Sequence, residues 1–357
     1  MVQPIKKLIQ TALEDKVFPG GVLLASKKGE VLVREAFGRT DINAKTLVGP
    51  DTIYDLASLT KPLATTLAVM YLVDTSSLRL GQTLGDLLPG CTGTDKAGIT
   101  VEHLLAHQSG LPDYRPFWKE LSGQTPLEKD AVLKERLIQE PLEYPIGSSI
   151  LYSDLGFMFL RWIVEHVSGM AMHRLVKKEI YAPLGIKDLF FPVAQEPALN
   201  RFAATEMCPW RNRLIQGVVH DENAYSLGGV DGHAGLFGTA SGVHDLLQEI
   251  LSAYFGRSHK GVLPQDLMQT FLNYDMGGER ALGFDRPTPP GSSSGRYFSK
   301  NSVGHLGFTG TSFWMDLEQA IIVILLTNRI HPTRENDKIR IFRPVIHDVV
   351  MQFLGPA

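Results

Sequence analysis

The sequence predicts an α+β fold, in which an antiparallel sheet built from N- and C-terminal strands has flanking helices and adjoins a mostly helical second lobe. Strand-like segments near both ends of the chain and helical periodicity in the middle indicate this arrangement. The length of 357 residues suffices for two lobes. We therefore assign 1–54 and 251–357 to a discontinuous sheet domain and 55–250 to a helical domain, and expect the functional site in the cleft between them.

The N-terminal part predicts a helix followed by a β-hairpin. Residues 4–15 carry apolar side chains at helical spacing, interrupted by charged ones. The stretch "GGVLLASKKGEVLVREAFGR", residues 20–39, then places two apolar runs on either side of "KKGE". Because Gly29 can adopt the positive φ that a tight turn needs, we expect the hairpin to turn there.

The middle of the chain predicts helices, and the C-terminal part predicts strands followed by one more helix. Helical periodicity and helix-end glycines mark segments such as "TKPLATTLAVMYLVD", "SDLGFMFLRWIVEHVSG" and "SGVHDLLQEILSAYFG". Strand character returns in "SVGHLGF", "TSFWMDL" and "AIIVILLTNR", before the helical segment "KIRIFRPVIHDVVMQFL". Three late strands need further cover, so we expect them to pair with the N-terminal hairpin in one antiparallel sheet.

The composition is that of an ordinary globular protein, with 44% hydrophobic and 20% charged residues and a net charge of −3. No basic stripe points to nucleic acid and no motif requires a cofactor or a metal, so we expect a small-molecule substrate as the partner. The start of the chain lacks the unbroken apolar stretch of a signal peptide, and the run "AIIVILL" is far shorter than a membrane span. We accordingly expect a cytoplasmic protein.

The two cysteines, Cys91 and Cys208, belong to no C-x-x-C motif, which excludes a zinc ribbon or a redox motif of that type. A disulfide between them stays open at this point. Two reduced thiols are the simpler interpretation for a protein of the cytoplasm.

The segment "ASLTKP" places Ser58 and Lys61 three residues apart at the predicted start of a helix. Residues i and i+3 share one helix face, so the Lys61 amine can approach the Ser58 hydroxyl. The helix dipole and the unused Ser58 N–H would favour a developing oxyanion. With apolar neighbours such as Leu59 and Leu63, we expect burial to lower the pKa of Lys61 so that it acts as a base. The structural alternative is a helix cap beside a solvated lysine.

A second segment, "GSSILYSDLGFMFL", places Tyr152 and Asp154 immediately before an apolar helix. The Tyr152 phenol could carry a proton to or from the Ser58 and Lys61 pair. The structural alternative at this position is a helix cap, for which Ser153 and Asp154 are both suitable.

A third segment, "VGHLGFTGTSFWMD", places His305 and Gly307 on a predicted strand. A substrate could lie along the edge of this strand, where the Phe308 N–H could join that of Ser58 in an oxyanion hole. The structural alternative for His305 is an ordinary surface histidine of a strand.

In this order the segments resemble the three motifs of the serine β-lactamase and penicillin-binding-protein superfamily, most closely the branch of class C β-lactamases, DD-peptidases and β-lactamase-like esterases. The resemblance runs nearly from end to end and includes "TIYDLASLTKP", "ITVEHLLAHQSGLP" and "LGGVDGHAGLFGTASGVHDLL". It implies that Ser58 is the acylated nucleophile and that Lys61 and Tyr152 are the proton-transfer pair. The fold of this superfamily agrees with the two lobes predicted above.

Two residues depart from the family pattern. Asp154 stands where β-lactamases usually have Asn, and Leu306 stands where the family has Thr or Ser, so a substrate-binding hydroxyl is absent unless Thr309 supplies it. His305 replaces the usual third-motif lysine and, with a reference pKa of about 6.5, is expected to be mostly neutral at pH 7. We therefore expect weak β-lactam hydrolysis and better hydrolysis of uncharged esters or amides, unless a cation such as Arg329 compensates.

Other motifs carry weaker signals. The sequence "GSSSG" at 291–295 fits G-x-S-x-G with Ser293 as nucleophile, but it lacks the strand and helix that this motif requires on either side. The sequence "HLLAH" spaces His103 and His107 as in a zinc helix, but it lacks the glutamate of H-E-x-x-H, so we interpret His107 as a helix-end residue. Placing the third motif at 308–310 would leave no cationic or titratable group there.

Three polar or glycine-rich segments are interpreted as loops. The sequence "VVHDEN", residues 218–223, could suggest a metal, but a polar loop is favoured because no other region offers matching ligands. The sequence "GGVDGHAGLFG" does not fit a phosphate-binding loop; it could line the cleft, with His233 as a candidate site residue. The patch "RPTPPGSSSGR" at 286–296 predicts a surface loop.

Two functions of different classes follow from these motifs. The first is a serine acyl hydrolase that acts through a Ser58 acyl-enzyme on small esters or amides, as an esterase, a D-amino-acid peptidase or a weak β-lactamase. The second is a β-lactam-binding or sensor-type protein with little or no turnover. All three motifs retain groups able to do chemistry, which favours the enzyme. The residues assigned to substrate binding are Asp154, His233, His305, Gly307 and Phe308.

Overall fold

The computed structural model describes residues 2–121, 123–193, 198–275, 278–288 and 290–355. Its helices are α1 (Gln3–Glu14), α2 (Thr66–Asp74), α3 (Leu84–Leu87), α4 (Val101–Leu105), α5 (Pro126–Gln139), α6 (Asp154–Ser168), α7 (Met172–Leu175), α8 (Ala182–Leu184), α9 (Glu222–Ser226), α10 (Ala240–Tyr254), α11 (Gln265–Asn273) and α12 (Ile339–Leu354). Its strands are β1 (Gly20–Lys27), β2 (Glu30–Gly38), β3 (Tyr54–Asp55), β4 (Leu189–Phe190), β5 (Met207–Cys208), β6 (Arg213–Leu214), β7 (Phe237–Gly238), β8 (Arg280–Ala281), β9 (Phe284–Asp285), β10 (Ser302–Leu306), β11 (Ser312–Asp316) and β12 (Ile321–Thr327).

The main sheet is antiparallel and joins the two ends of the chain, which confirms the predicted α+β arrangement. Its strand order is β2-β1-β12-β11-β10-β9-β8. Strand β1 pairs with β12, so that Lys27 lies opposite Ile321. The β1–β2 hairpin turns at Lys28 and Gly29, whose φ angles of +52° and +86° suit a two-residue turn. The three late strands therefore pair with the N-terminal hairpin in one sheet, as predicted.

Helices cover both faces of this sheet, which explains why its central strands are apolar throughout. Successive side chains of a strand point to opposite faces. In β1, Leu23 and Ala25 belong to a core that α1 and α12 share, whereas Val22 and Leu24 belong to a larger core that includes α10. Strand β12 is buried along its whole length for the same reason.

The middle of the chain is largely helical, as predicted, and its packing positions the site. Helices α2 and α4 both pack against α6. Their apolar side chains, such as Leu67 and Leu104, belong to the same core as the Val22 side of β1. Helix α10 contacts β1 and β12. The domain boundaries at 54/55 and 250/251 stay a prediction.

The two cysteines are both buried free thiols, so the reduced form is the correct interpretation and the disulfide is not formed. Among the residues that the structure describes, no helix combines the length and the apolar character needed to cross a bilayer.

Candidate active site

The three sequence motifs meet at one cavity of about 790 Å³. The segment before α2, the start of α6 and the end of β10 each contribute to its wall. A cavity of this size suits a small-molecule substrate. The sequence-predicted residues that line it are Ser58, Tyr152, Asp154, His233, His305, Gly307 and Phe308. Lys61 is fully buried and reaches the cavity through its contact with the nucleophile.

The segment that carries the nucleophile is not the regular α-helix that the spacing predicts. Ala57–Leu59 form a 3₁₀ turn and Lys61–Thr65 form a π-helix, before α2 begins. The φ of Ala57 is +48°, a left-handed conformation that is uncommon outside glycine, and Asp55 Oδ1 accepts its N–H at 2.9 Å. Strained residues and π-helical turns of this kind are frequent at functional sites. The irregular backbone still brings the serine and the lysine together.

The Lys61 ammonium lies among three oxygen atoms. Its Nζ is 3.1 Å from Ser58 Oγ, 2.7 Å from Asp154 Oδ1 and 3.2 Å from the His233 carbonyl oxygen. Burial by itself would lower the pKa of Lys61, but the charge of the Asp154 carboxylate and its hydrogen bond with Lys61 outweigh burial, and the pKa is raised. The expectation of a lowered pKa is therefore wrong, because the fold places a carboxylate against the amine. Lys61 is an ammonium in the resting site.

Tyr152 packs between His107 and Lys61. The centroid of the Tyr152 ring is 4.7 Å from that of His107 and 4.7 Å from Lys61 Nζ. Burial raises the pKa of the Tyr152 phenol, although its hydrogen bonds with Lys61 and Ser58 act in the opposite direction. The phenol is therefore neutral at pH 7 and in hydrogen-bonding contact with both partners of the predicted proton transfer.

The support that His107 gives to Tyr152 was missed by sequence reasoning. His107 Nδ1 accepts the Ser153 N–H at 3.0 Å, and its ring also lies 5.2 Å from the Phe157 ring. Burial holds the pKa of His107 well below its ordinary value, so it is neutral. His107 follows the end of α4, as predicted, but its ring serves the tyrosine segment. No spacing rule links position 107 to position 152, because tertiary packing alone brings them together.

The two candidate caps of α6 have different roles. Ser153 Oγ accepts the Gly156 N–H at 3.2 Å and donates to the Pro112 carbonyl at 2.6 Å, so Ser153 is the N-cap. This arrangement leaves the Asp154 side chain, which is 17% exposed, for the ion pair with Lys61. Asp154 is therefore a site residue rather than a capping residue.

His305 is buried on β10, so the alternative of a surface histidine is wrong. Its Nδ1 donates to the Leu306 carbonyl oxygen at 2.8 Å, while its Nε2 is buried without a hydrogen-bond partner in the described structure. Burial lowers the pKa of His305 to about 4, and the nearby cations Lys61 and Arg280 act in the same direction. The neutral state expected at pH 7 agrees with this environment.

The end of β10 approaches the nucleophile segment closely. A side chain at Gly307 would lie 2.6 Å from the Leu56 carbonyl oxygen and would also clash with Thr311, so glycine is required there. Within the described residues, the N–H groups of Ser58 and Phe308 donate to no protein acceptor. Both are available for a substrate carbonyl, as the oxyanion-hole hypothesis requires.

Thr309 does not replace the hydroxyl that is missing at Leu306. It is buried, and its Oγ1 donates to the Asp55 carbonyl oxygen at 2.7 Å. Thr311 donates to the Leu56 carbonyl oxygen at 3.1 Å in the same way. Both hydroxyls tie the turn after β10 to the segment before Ser58. The alternative third motif at 308–310 thus has its threonine committed to structure.

His233 contributes to the site through its main chain as well as its position. Its carbonyl oxygen accepts from Lys61, and its ring Nε2 lies 2.9 Å from Asp221 Oδ1. Burial would lower the pKa of His233, but Asp221 and Asp154 raise it to about 9, so the ring is a cation at pH 7. The pKa of Asp221 is correspondingly held below its usual range, because His233 outweighs the effect of burial. The residue that pairs with Asp221 is therefore also the one whose carbonyl oxygen accepts from Lys61.

This pair makes a testable contribution to stability. The raised pKa of His233 adds stability that is fully present below about pH 6.5 and is lost as the pH rises through about 9. The lowered pKa of Asp221 adds stability that is lost only as the pH falls below about 4. The melting temperatures of wild type and His233→Gln should therefore differ most near pH 5–6 and converge toward pH 10. A difference that stays constant from pH 6 to pH 10 would show that the ion pair does not stabilise the fold.

The weaker sequence signals have structural explanations. His103 Nδ1 accepts the Thr100 N–H in a capping box, so His103 and His107 do not form a zinc pair. Ser293 is followed by no helix, and its carbonyl accepts from His347. The interpretation of 218–223 as a polar loop is correct only up to Asp221, because α9 begins at Glu222; within this loop, His220 Nε2 lies 2.9 Å from Glu206 Oε2. The described part of the chain contains no cluster of His, Cys, Asp and Glu that could hold a metal. The loop at 286–296 includes Pro289, which lies outside the described residues.

Five arginines of the C-terminal part line the cavity, of which the sequence indicated only Arg329; the others are Arg280, Arg334, Arg340 and Arg343. Arg280 pairs with Asp285, and Arg334 pairs with Glu206 and Glu222. Arg343 lies on the buried side of α12, one turn after Ile339, and an arginine in an apolar stripe is a signal that the periodicity could have shown. The expectation of weak β-lactam hydrolysis assumed that no cation compensates for a neutral His305. The cavity contains such cations, so the charge argument for this expectation fails. Weak β-lactam hydrolysis itself stays a prediction.

Comparisons with known proteins agree with the motifs. A model of the Beta-lactamase family matches residues 5–345. The chain is 34% identical over 350 residues to an N-acetylmuramyl-L-alanine amidase of Bacillus subtilis, which covers 88% of this chain and 78% of the relative. It is 30% identical over 362 residues to a Salmonella enteritidis protein named "Putative D-alanyl-D-alanine carboxypeptidase", which covers 91% and 82%. The resemblance drawn from the sequence is confirmed.

Solved structures share the fold. EstCE1, described as a hydrolase with promiscuous acyltransferase activity, superimposes with a TM-score of 0.75 at 21% identity, covering 96% of this chain and 98% of that one. A penicillin-binding protein homologue from Pyrococcus abyssi superimposes with a TM-score of 0.75 at 20% identity, covering 99% and 77%. At such identities the likeness concerns the architecture.

Proposed function

Because the chain belongs to the Beta-lactamase family, we propose that it is a serine acyl hydrolase that forms an acyl-enzyme on Ser58 and acts on small amides or esters. The observation that carries the proposal is the 3.1 Å contact between Ser58 Oγ and the buried Lys61 Nζ at a cavity of about 790 Å³. A hydroxyl beside a buried lysine becomes an activated nucleophile once that lysine has given up a proton, and the adjoining Tyr152 phenol completes a proton-transfer set.

The reaction follows from the geometry in two steps. Ser58 Oγ attacks the substrate carbonyl, and the N–H groups of Ser58 and Phe308 stabilise the negative charge that develops on its oxygen. Because Lys61 is an ammonium in the resting site, it first passes a proton to Asp154 Oδ1, 2.7 Å away; the resulting amine takes the serine proton and returns it, through the Tyr152 phenol, to the leaving amine or alcohol. Water then attacks the acyl-enzyme with the same groups acting in reverse. Asp154 and the His233 carbonyl hold the lysine in place throughout.

Amides of amino acids are the substrate class that we favour over plain esters. Two curated relatives carry names of amide hydrolases that act on alanine-containing substrates, an amidase and a carboxypeptidase. Esters are expected as additional substrates, because an alcohol is a better leaving group than an amine. A small ester such as p-nitrophenyl acetate is therefore a suitable first probe.

The second function, a β-lactam-binding or sensor-type protein, would acylate and stop. No specific contact favours this second function. The free N–H groups of Ser58 and Phe308 and the Tyr152 phenol favour turnover instead. Steady-state hydrolysis of p-nitrophenyl acetate beyond one equivalent distinguishes the enzyme from the sensor. A burst of one equivalent without further release would establish the sensor.

The site assignment is tested by covalent labelling. We expect a fluorophosphonate to modify Ser58 alone, because among the serines that the structure describes only Ser58 combines a cavity position with a lysine nitrogen at hydrogen-bonding distance. Peptide mass mapping of wild type and of Ser58→Ala locates the label, and the variant should remain unlabelled. Modification of Ser293 in both proteins would contradict the assignment.

A further inference from the structure

The cavity carries unpaired cations at one end. Arg329, Arg340 and Arg343 line it, and none of them forms an ion pair within the described residues. Arg343 is only 6% exposed; its Nη2 donates to the Thr311 carbonyl at 2.9 Å and to the Gly307 carbonyl at 3.3 Å. Its Nε is buried without a hydrogen-bond partner in the described structure.

Three guanidinium groups at one cavity repel one another, and Asp337 offsets this repulsion only in part, at Arg329. Burial, together with the charges of Arg329 and Arg340, lowers the pKa of Arg343 to about 9, so Arg343 is still a cation at pH 7. An anion placed among them would relieve this repulsion. A guanidinium matches the geometry of a carboxylate with two parallel hydrogen bonds, which makes a carboxylate the fitting ligand group.

The opposite end of the cavity carries carboxylates with free acceptor atoms. Asp154 uses Oδ1 for Lys61, and its Oδ2 accepts no hydrogen bond from the residues that the structure describes. Asp113 also lines the cavity, is exposed and forms no ion pair among them. The Asp113 carbonyl oxygen accepts the Asp154 N–H at 2.8 Å, so the two acids lie on segments that adjoin each other. Because an ionised carboxylate can only accept, this end suits a donor such as an ammonium.

The nucleophile lies between these two ends. On one side, Ser58 contacts Lys61, which contacts Asp154. On the other side, the residues flanking the nucleophile touch the end of β10, where Arg329 Nε donates to the Phe308 carbonyl at 2.9 Å and Arg343 donates to that of Gly307. A scissile carbonyl at Ser58 would therefore have the acids on one side and the arginines on the other.

We propose that the cavity selects zwitterionic amides, whose ammonium group binds at Asp154 and Asp113 and whose carboxylate binds at Arg329, Arg340 and Arg343. Short peptides with free termini have this chemistry. The inference rests on the proposed function, because it specifies the substrate of the same Ser58 site. It also explains why an aspartate stands at position 154, where β-lactamases usually have an asparagine. An asparagine side chain would offer a donor as well as an acceptor to the ammonium group.

The test separates binding from turnover. Hydrolysis of p-nitrophenyl acetate first establishes the enzyme, and failure there would overturn the proposed function itself. Alanyl-alanine, in the D,D and L,L forms, is then used as an inhibitor in four versions: free, N-acetylated, C-amidated and doubly capped. We expect each cap to raise the inhibition constant roughly tenfold or more, since each removes a charge-assisted contact. Inhibition by the free peptides no stronger than by the doubly capped ones would overturn the inference while leaving the hydrolase intact.

Variants identify the two ends. Arg340→Gln is expected to raise the inhibition constants of the peptides with a free carboxylate by about tenfold and to leave the amidated ones unchanged. Arg174→Gln, an exposed arginine of α7 away from the cavity, is the matched control and should change none. For Asp154→Asn, binding is measured by calorimetry, and only peptides with a free amine should bind more weakly. Equal losses for free and capped peptides in either variant would mean a structural role and would contradict the proposal.

Discussion

Lys61→Ala and Tyr152→Phe are each expected to lower kcat for ester hydrolysis by about 10²–10⁴-fold. Lys61 Nζ is 3.1 Å from Ser58 Oγ and the Tyr152 phenol bonds both residues, so each change removes a group that moves the serine proton. The measurement is steady-state release of p-nitrophenol, with the melting temperature recorded alongside to establish that each variant is folded. Near-wild-type kcat in Tyr152→Phe would show that the second motif has no catalytic role.

Lys61→Arg provides the control for charge. It keeps a cation beside Asp154, but a guanidinium does not give up its proton near neutral pH. We therefore expect no rescue of kcat beyond the Lys61→Ala level. Recovery of activity in Lys61→Arg would mean that the lysine acts only as a fixed positive charge.

Arg161→Met is expected to lower the free energy of unfolding by about 3–5 kcal/mol. The Arg161 side chain is 9% exposed, and its guanidinium lies 3.1 Å from Asp231, 2.7 Å from Asp130 and 3.2 Å from Glu165. The Asp231 side chain is completely buried. In Arg161→Met, Asp231 loses its arginine partner and remains a buried carboxylate without adequate compensation. Urea denaturation measures the loss as a lower midpoint at an unchanged m value.

The matched control is Arg136→Met, which removes an exposed pair with Glu120 and should cost less than about 1 kcal/mol. Adding Asp231→Asn to Arg161→Met should recover part of the lost stability, because the stranded charge is removed. Equal losses in Arg161→Met and Arg136→Met would contradict the importance of burial. Since Asp231 lies two residues before His233, a reduced kcat is also expected in Arg161→Met.

Local patterns predicted the main elements and the candidate site residues. Apolar periodicity predicted the first helix, the β1–β2 hairpin and the helix at 240–254, because burial of one face requires that spacing. Three short motifs indicated Ser58, Lys61, Tyr152 and His305, since a serine three residues before a lysine is a local arrangement. The structure brings these four residues to one cavity or into contact with its nucleophile.

Local patterns failed wherever a property depends on contact between distant segments. The pKa of Lys61 was expected to fall because only its apolar sequence neighbours were visible, whereas Asp154, 93 positions away, raises it. The support of Tyr152 by His107 and the commitment of the Thr309 hydroxyl to Asp55 were likewise hidden.

The sequence by itself determined the α+β class and the pairing of the two chain ends in one sheet, and it indicated the candidate reactive side chains, because hydrophobic periodicity and motif spacing are local properties. Tertiary structure alone decided the electrostatics of the site. It placed Asp154 against Lys61 and gathered Arg329, Arg340 and Arg343 at the same cavity. The physical reason is that charge interactions depend on distance in space and on burial, and neither quantity can be read from separation along the chain.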